Sequence, residues 1–186
     1  IAQKMHFYEE IGAWQAFRIL NYRKDENYSP VFNLLNNKNA SIIEYGAGAA
    51  PFTNYFISRM KDFHDYKFTL TDVSSEHFRF AEWRLKQKAP TTDFDFITVT
   101  ADMMVPDLSG KEFDFVCISD VLEHLPNPYD VMIELHKNMK MGALIWETWR
   151  VDPDGAGEAD LQEAEDQRAV TTAFMDDKFE IVYPQF

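Results

Sequence analysis

Two glycines, Gly46 and Gly48, follow directly on the apolar run Ser41-Ile42-Ile43-Glu44-Tyr45, and Ala49-Ala50-Pro51 then leads into an amphipathic stretch. Glycines at a strand-to-helix turn let a ligand approach the backbone, whose amides and helix N-terminus favour a negative group. A dinucleotide fold asks for a third glycine at position 51 for close helix packing, and a proline stands there. Glu44 beside the turn would repel a pyrophosphate, whereas it can help hold the ammonium of an amino-acid-like ligand that carries no phosphate.

Two further acids follow at the ends of apolar runs. Thr71-Asp72-Val73-Ser74 places a carboxylate where it can accept both hydroxyls of a ribose. Thr100-Ala101-Asp102-Met103-Met104 places another where it can accept from an adenine amino group, with Met103 as a flexible apolar cover for the ring. Next comes Ser119-Asp120-Val121-Leu122-Glu123-His124-Leu125-Pro126-Asn127-Pro128. Its histidine is open to two readings: a structural group at a helix start, or a base near neutral pKa that faces a second substrate, oriented by Glu123 or Asp120.

The elements that must position these residues alternate in type. Strands are predicted over 41–45, 66–71, 94–99, 113–119 and 144–149, and helices from about Phe52, Ser75 and Asn127-Pro128, the last ended by Gly142. A helix near 159–175 should lead to a final strand over 179–183. This rhythm is that of an α/β, doubly wound, mostly parallel sheet with helices on both faces. Residues 1–40 carry Phe7, Ile11, Trp14, Phe17, Ile19 and Leu20 near helical spacing, and Ser29-Pro30 reads as a second helix start. They are expected to form a helical lid, with Tyr8 and Trp14 in it, over a core of residues 41–186 within one structural domain.

At 186 residues, 46% hydrophobic and 15% aromatic, the chain can bury a sizeable core without staples. No apolar run approaches the roughly 20 residues that span a bilayer, so no membrane association is expected. The single cysteine, Cys117, lies in an apolar run and reads as a core residue in a reducing, cytoplasmic compartment. A formal charge of -13 with no basic stripe opposes bulk nucleic acid as a partner. The oligomeric state is not legible, and the ends of the chain read as those of a piece of something larger.

From Ser41 to Trp149 these segments and their order resemble the class I S-adenosylmethionine-dependent methyltransferases. The resemblance rests on Glu44-x-Gly46-x-Gly48, Asp72, Asp102 and the stretch from Ser119 to Pro128, which is similar to the LEHL segment of the small-molecule branch. Ala50 departs from it where the family often has glycine, and the C-terminus is one strand short of the family's seven. The resemblance implies S-adenosylmethionine as cofactor, held by Glu44, Tyr45, Gly46, Ala47, Gly48, Asp72, Val73, Asp102, Met103 and Ser119. It also implies a small-molecule acceptor meeting residues 119–124, 146–149 and the lid, with His124 as the candidate catalytic group.

Asp120, Glu123 and His124 are similar to a metal set in some relatives, but no histidine follows His136 to complete it, and no metal is expected. Asp152-x-Asp154-x-x-Gly157 imitates a calcium loop with a strand, not a helix, before it, and reads as a solvated acidic loop. The competing class is a non-catalytic module that keeps the fold inside a larger assembly. An NAD-dependent oxidoreductase fails on Pro51 and Glu44.

Overall fold

In the computed structural model of the chain, residues 35, 39–60, 65–100, 104–149 and 160–182 are described. The expected lid, Asp102, Met103 and the acidic stretch from Asp152 therefore lie outside the described residues, apart from Leu35, Asn39 and Ala40 of the first segment.

Runs rich in Ile, Val, Phe and Thr form five strands: β1 (Ser41–Tyr45), β2 (Lys67–Val73), β3 (Asp93–Val99), β4 (Phe113–Ser119) and β5 (Met139–Thr148). They make one parallel sheet in the order β3-β2-β1-β4-β5. The order turns outward in both directions from the β1/β4 pair, so the connections leave opposite ways there and open a crevice at the carboxyl ends. The architecture is the expected doubly wound α/β sheet.

Alternation along the strands sends successive side chains to opposite faces. On one face Ile42, Phe68, Leu70, Phe115 and Cys117 pack against helices α1 (Pro51–Arg59) and α2 (Glu76–Lys88). Aromatic rings fill this layer: Phe52 stacks on Phe115 at 5.3 Å and Phe56 meets Tyr66 edge-on at 5.0 Å. Each fully buried phenylalanine contributes about 1.5–3 kcal/mol of burial. On the other face Ile43, Tyr45, Val116 and Ile118 pack against α3 (Pro128–Lys137), with Phe174 and Met175 of α4 (Gln162–Lys178) beside them.

Local starts follow the capping rules in part. The Ser75 hydroxyl accepts from Phe78 N at 3.2 Å and opens α2. Pro128 takes the first turn of α3, where a missing N–H costs nothing, but the Asn127 side chain makes no cap.

Two expectations are corrected. Gly142 does not end α3, which closes at Lys137 with Asn138 as its C-cap. It lies inside β5 at φ 77, where the register jumps from Phe113↔Met139 to Phe115↔Leu144 and the extra residues bulge out. Residues 179–182 of the expected final strand are not in a strand, and Ile181 is 81% exposed. Among the described residues no helix is long and apolar enough to cross a membrane.

Candidate functional site

β1 ends in the glycine turn, and the turn is held from four sides. Gly46 and Gly48 adopt φ 68 and φ 50, the left-handed region that glycine enters without penalty. Ala47 N donates to Thr71 O at 3.0 Å, tying the turn to β2. Gly46 faces Val121, so closely that a Cβ there would lie 2.4 Å from Val121 Cγ2. Ala50 takes φ 55 at the N-cap of α1, the place where a glycine would have been free of strain.

Glu44 points to the α1 face, as alternation requires, and is 4% exposed. Its two carboxylate oxygens accept from Phe52 N at 3.1 Å and Thr53 N at 2.9 Å. Ala50 has no side-chain oxygen to cap α1, so a strand residue supplies the cap, and Pro51 at N1 leaves one amide fewer to satisfy. Burial pushes the Glu44 carboxyl up to about 7, against the lowering pull of these bonds and of Arg84. The carboxylate is turned inward and fixes the turn.

Asp72, at the end of β2, sits across the turn. Its Oδ2 accepts from Gly48 N at 2.5 Å and its Oδ1 from Val73 N at 2.6 Å. Burial raises it to about 6, opposed by the two amides. Each carboxylate oxygen keeps a second acceptor position. Tyr45, on the α3 face, donates from its hydroxyl to Met104 O at 2.5 Å, joining β1 to the segment that follows Asp102 and Met103. Burial pushes its phenol well above the ordinary range.

At the carboxyl end of β4, Ser119 Oγ and Thr148 Oγ1 are 2.8 Å apart. Asp120 takes φ 54, and its N–H donates to both Thr148 O and Thr148 Oγ1 at 3.0 Å. The chain then enters a 3-10 turn, Leu122–His124, closed by His124 N donating to Val121 O at 2.9 Å. Glu123 in this turn is 3% exposed, and its Oε2 has no hydrogen-bond partner among the described residues. Burial pushes it to about 7, with the charges of Asp120 and Asp160 adding to the rise, and pushes Glu147 of β5 likewise to about 7, with the charges of Glu123 and Asp120 adding there. Among the described residues no group of three or more His, Cys, Asp or Glu is set to hold a metal ion.

The carboxyl edge thus gathers Tyr45, Gly46, Ala47, Gly48, Asp72, Val73 and Ser119, with His124 linked to them through Val121. One residue that pattern reading missed completes the frame. Arg84 of α2 donates through Nη2 to Ala49 O and to Ala50 O, the latter at 3.3 Å. It stands three residues after buried Ala81 and next to buried Leu85, so helical arithmetic could have placed it on the inward side. Thr148, inside the 146–149 stretch expected at the acceptor, has its partners brought to it by the β4–β5 register.

The model of a methyltransferase-domain family matches residues 17–178. The chain belongs to this methyltransferase family. No curated protein matches it. Among solved structures, this methyltransferase domain is similar to the cyclase SpnF at 15% identity and TM-score 0.53, over 74% of this chain and 53% of that one. A protein from Galdieria sulphuraria described as a sarcosine dimethylglycine methyltransferase aligns at 14% identity and TM-score 0.52, over 63% and 42%. Coclaurine N-methyltransferase, solved with N-methylheliamine and SAH, aligns at 12% identity and TM-score 0.51, over 66% and 36%. At these identities the likeness is one of fold, and the domain spans about half the length of the solved proteins it matches.

Proposed function

We propose that this domain binds S-adenosylmethionine at the carboxyl ends of β1 and β2 and directs methyl transfer to a small-molecule acceptor. The observation that carries the reading is Asp72: amides of Gly48 and Val73 fix both its oxygens beside the glycine turn. Each oxygen keeps a lone pair for one of two neighbouring ribose hydroxyls. The residues fit the cofactor in a second respect. Glycines in left-handed geometry leave the turn backbone open, and the carboxylates around it suit a ligand without phosphate.

The bound cofactor supplies a methyl group already activated on sulfur, with a neutral leaving group. The protein's part is then alignment. Gly46 to Gly48 and Asp72 hold one partner and Ser119 to His124 border the other, which converts a bimolecular encounter into a positioned one; the family resemblance assigns Asp102 to the adenine amino group and Met103 to the ring. Where the acceptor is a hydroxyl, His124 takes its proton. Bulk nucleic acid is not the acceptor, since the net charge of -13 opposes polyanions.

Calorimetry tests the reading. S-adenosylmethionine should bind the wild type, and Asp72→Ala should weaken it by 10-fold or more, the order of about 1.5–3 kcal/mol for hydrogen bonds to a charged group. Equal binding by both proteins would remove the ribose role, and better binding of NAD than of S-adenosylmethionine would overturn the assignment.

A further inference from the structure

His124 and Asp160 come from segments far apart in the chain, yet His124 Nδ1 stands 3.8 Å from Asp160 Oδ1. Backbone contacts place both residues. Leu161 N donates to Glu123 O at 2.9 Å, which pins the residue after Asp160 to the residue before His124. Ala164 N and Glu165 N both donate to Leu161 O, so α4 starts at this anchor, and Gln167 Nε2 donates to Pro126 O at 2.8 Å on the far side of the 3-10 turn. The start of α4 is thus clamped over the histidine. The Asp160 side chain is 13% exposed and that of His124 29%, so the pair is sheltered without being sealed.

We infer that Asp160 is the positioning residue of His124: at 3.8 Å, an ion-pair separation longer than a hydrogen bond, its carboxylate favours the tautomer with the proton on Nδ1, so that Nε2 is the nitrogen that takes the acceptor's proton. A neutral imidazole has one donor and one acceptor nitrogen, and the partner of one fixes the role of the other. When Nε2 takes the acceptor's proton, the imidazolium so formed is paired with the Asp160 carboxylate, which itself stays unprotonated. Glu123 and Asp120, the partners expected from sequence, are placed for other work. Burial holds Glu123 protonated up to about 7, and the Asp120 carboxylate accepts from Thr148 Oγ1 at 3.3 Å. The inference rests on His124 acting as a base, but its test does not.

Long-range proton–nitrogen correlation spectra of protein labelled at the imidazole nitrogens, with His124→Gln to assign the signal, report the tautomer of His124 without any acceptor. The expected result is Nδ1–H in the wild type above the histidine titration, Nε2–H in Asp160→Ala, and Nδ1–H again in Asp160→Asn, whose amide oxygen attracts the same proton. A wild-type His124 protonated on Nε2 overturns the inference and needs no variant. So does an Nδ1–H form that survives Asp160→Ala. Either result would leave His124 free to be a base, a question that turnover of His124→Ala decides separately.

Discussion

Gly46 and Val121 touch so closely that no side chain fits between them: a Cβ on Gly46 would lie 2.4 Å from one methyl of Val121 and 2.7 Å from the other. The contact joins the exit of β1 to the exit of β4, the two strands at which the sheet order reverses. The glycine is therefore required by packing as well as by its φ.

Gly46→Ala should destabilise the domain by roughly 2–4 kcal/mol, combining overpacking with a left-handed alanine. Adding Val121→Ala removes both offending methyls and should return the packing share but not the backbone share. Denaturant midpoints of the two single variants and the double variant would check this. Simple additivity would show that the contact is not the cause.

Glu123 should make stability depend on pH. It holds its proton in the folded chain at pH values where the unfolded chain has lost it, so folding takes up a proton between about 4.5 and about 7. Its contribution is fully present below about 4.5 and is lost as pH rises through about 7. Glu123→Gln should thus raise the melting temperature at pH 8, by the equivalent of about 1–3 kcal/mol, and change little at pH 4.5. A constant difference at both pH values would contradict the assignment.

Arg84→Ala leaves Ala49 O and Ala50 O without their shared donor, at an expected loss of about 1–3 kcal/mol. Because these carbonyls belong to the glycine turn, affinity for S-adenosylmethionine should fall too. Arg84→Lys should recover only part, since one ammonium cannot reproduce the guanidinium fork. Calorimetry beside thermal melts would separate the two effects. Unchanged affinity in a destabilised Arg84→Ala would confine the arginine to stability.

In His124→Ala, methyl transfer to a hydroxyl acceptor should fall steeply while cofactor affinity hardly moves. A stable variant with undiminished turnover would remove His124 from the mechanism and leave proximity as the main contribution.

Much of this was legible in the sequence, because the signals were local. Periodicity located β1 to β4, and Asp72 at the end of β2 lies at the carboxyl edge with Tyr45, Gly46, Gly48 and Ser119. What failed to show were relations set by the third dimension. Gly142 was taken for a helix terminus because a C′ glycine and a bulge glycine share the same positive φ, and only the β4–β5 register tells them apart. That Glu44 caps α1 did not show either, because it depends on strand alternation together with an uncapped Ala50. Asp160 became visible as a partner of His124 only once α4 was seated on the 3-10 turn.

Glu44 and Tyr45 are neighbours in the chain but grip opposite sides of the sheet, one through the start of α1 and the other through Met104 O. A strand has a period of two, so inserting or deleting one residue in β1 would exchange the two side chains between faces. The carboxylate would then be carried into the apolar layer against α3, and the phenol would be set against the α1 amides. The exposed turn at Ser109 and Gly110 is under no such constraint, because a Cβ on Gly110 would meet nothing within 4 Å. Length variation among the domain's relatives should therefore accumulate at that turn and be purged from β1, where the reading frame of five residues is fixed on both faces of the sheet.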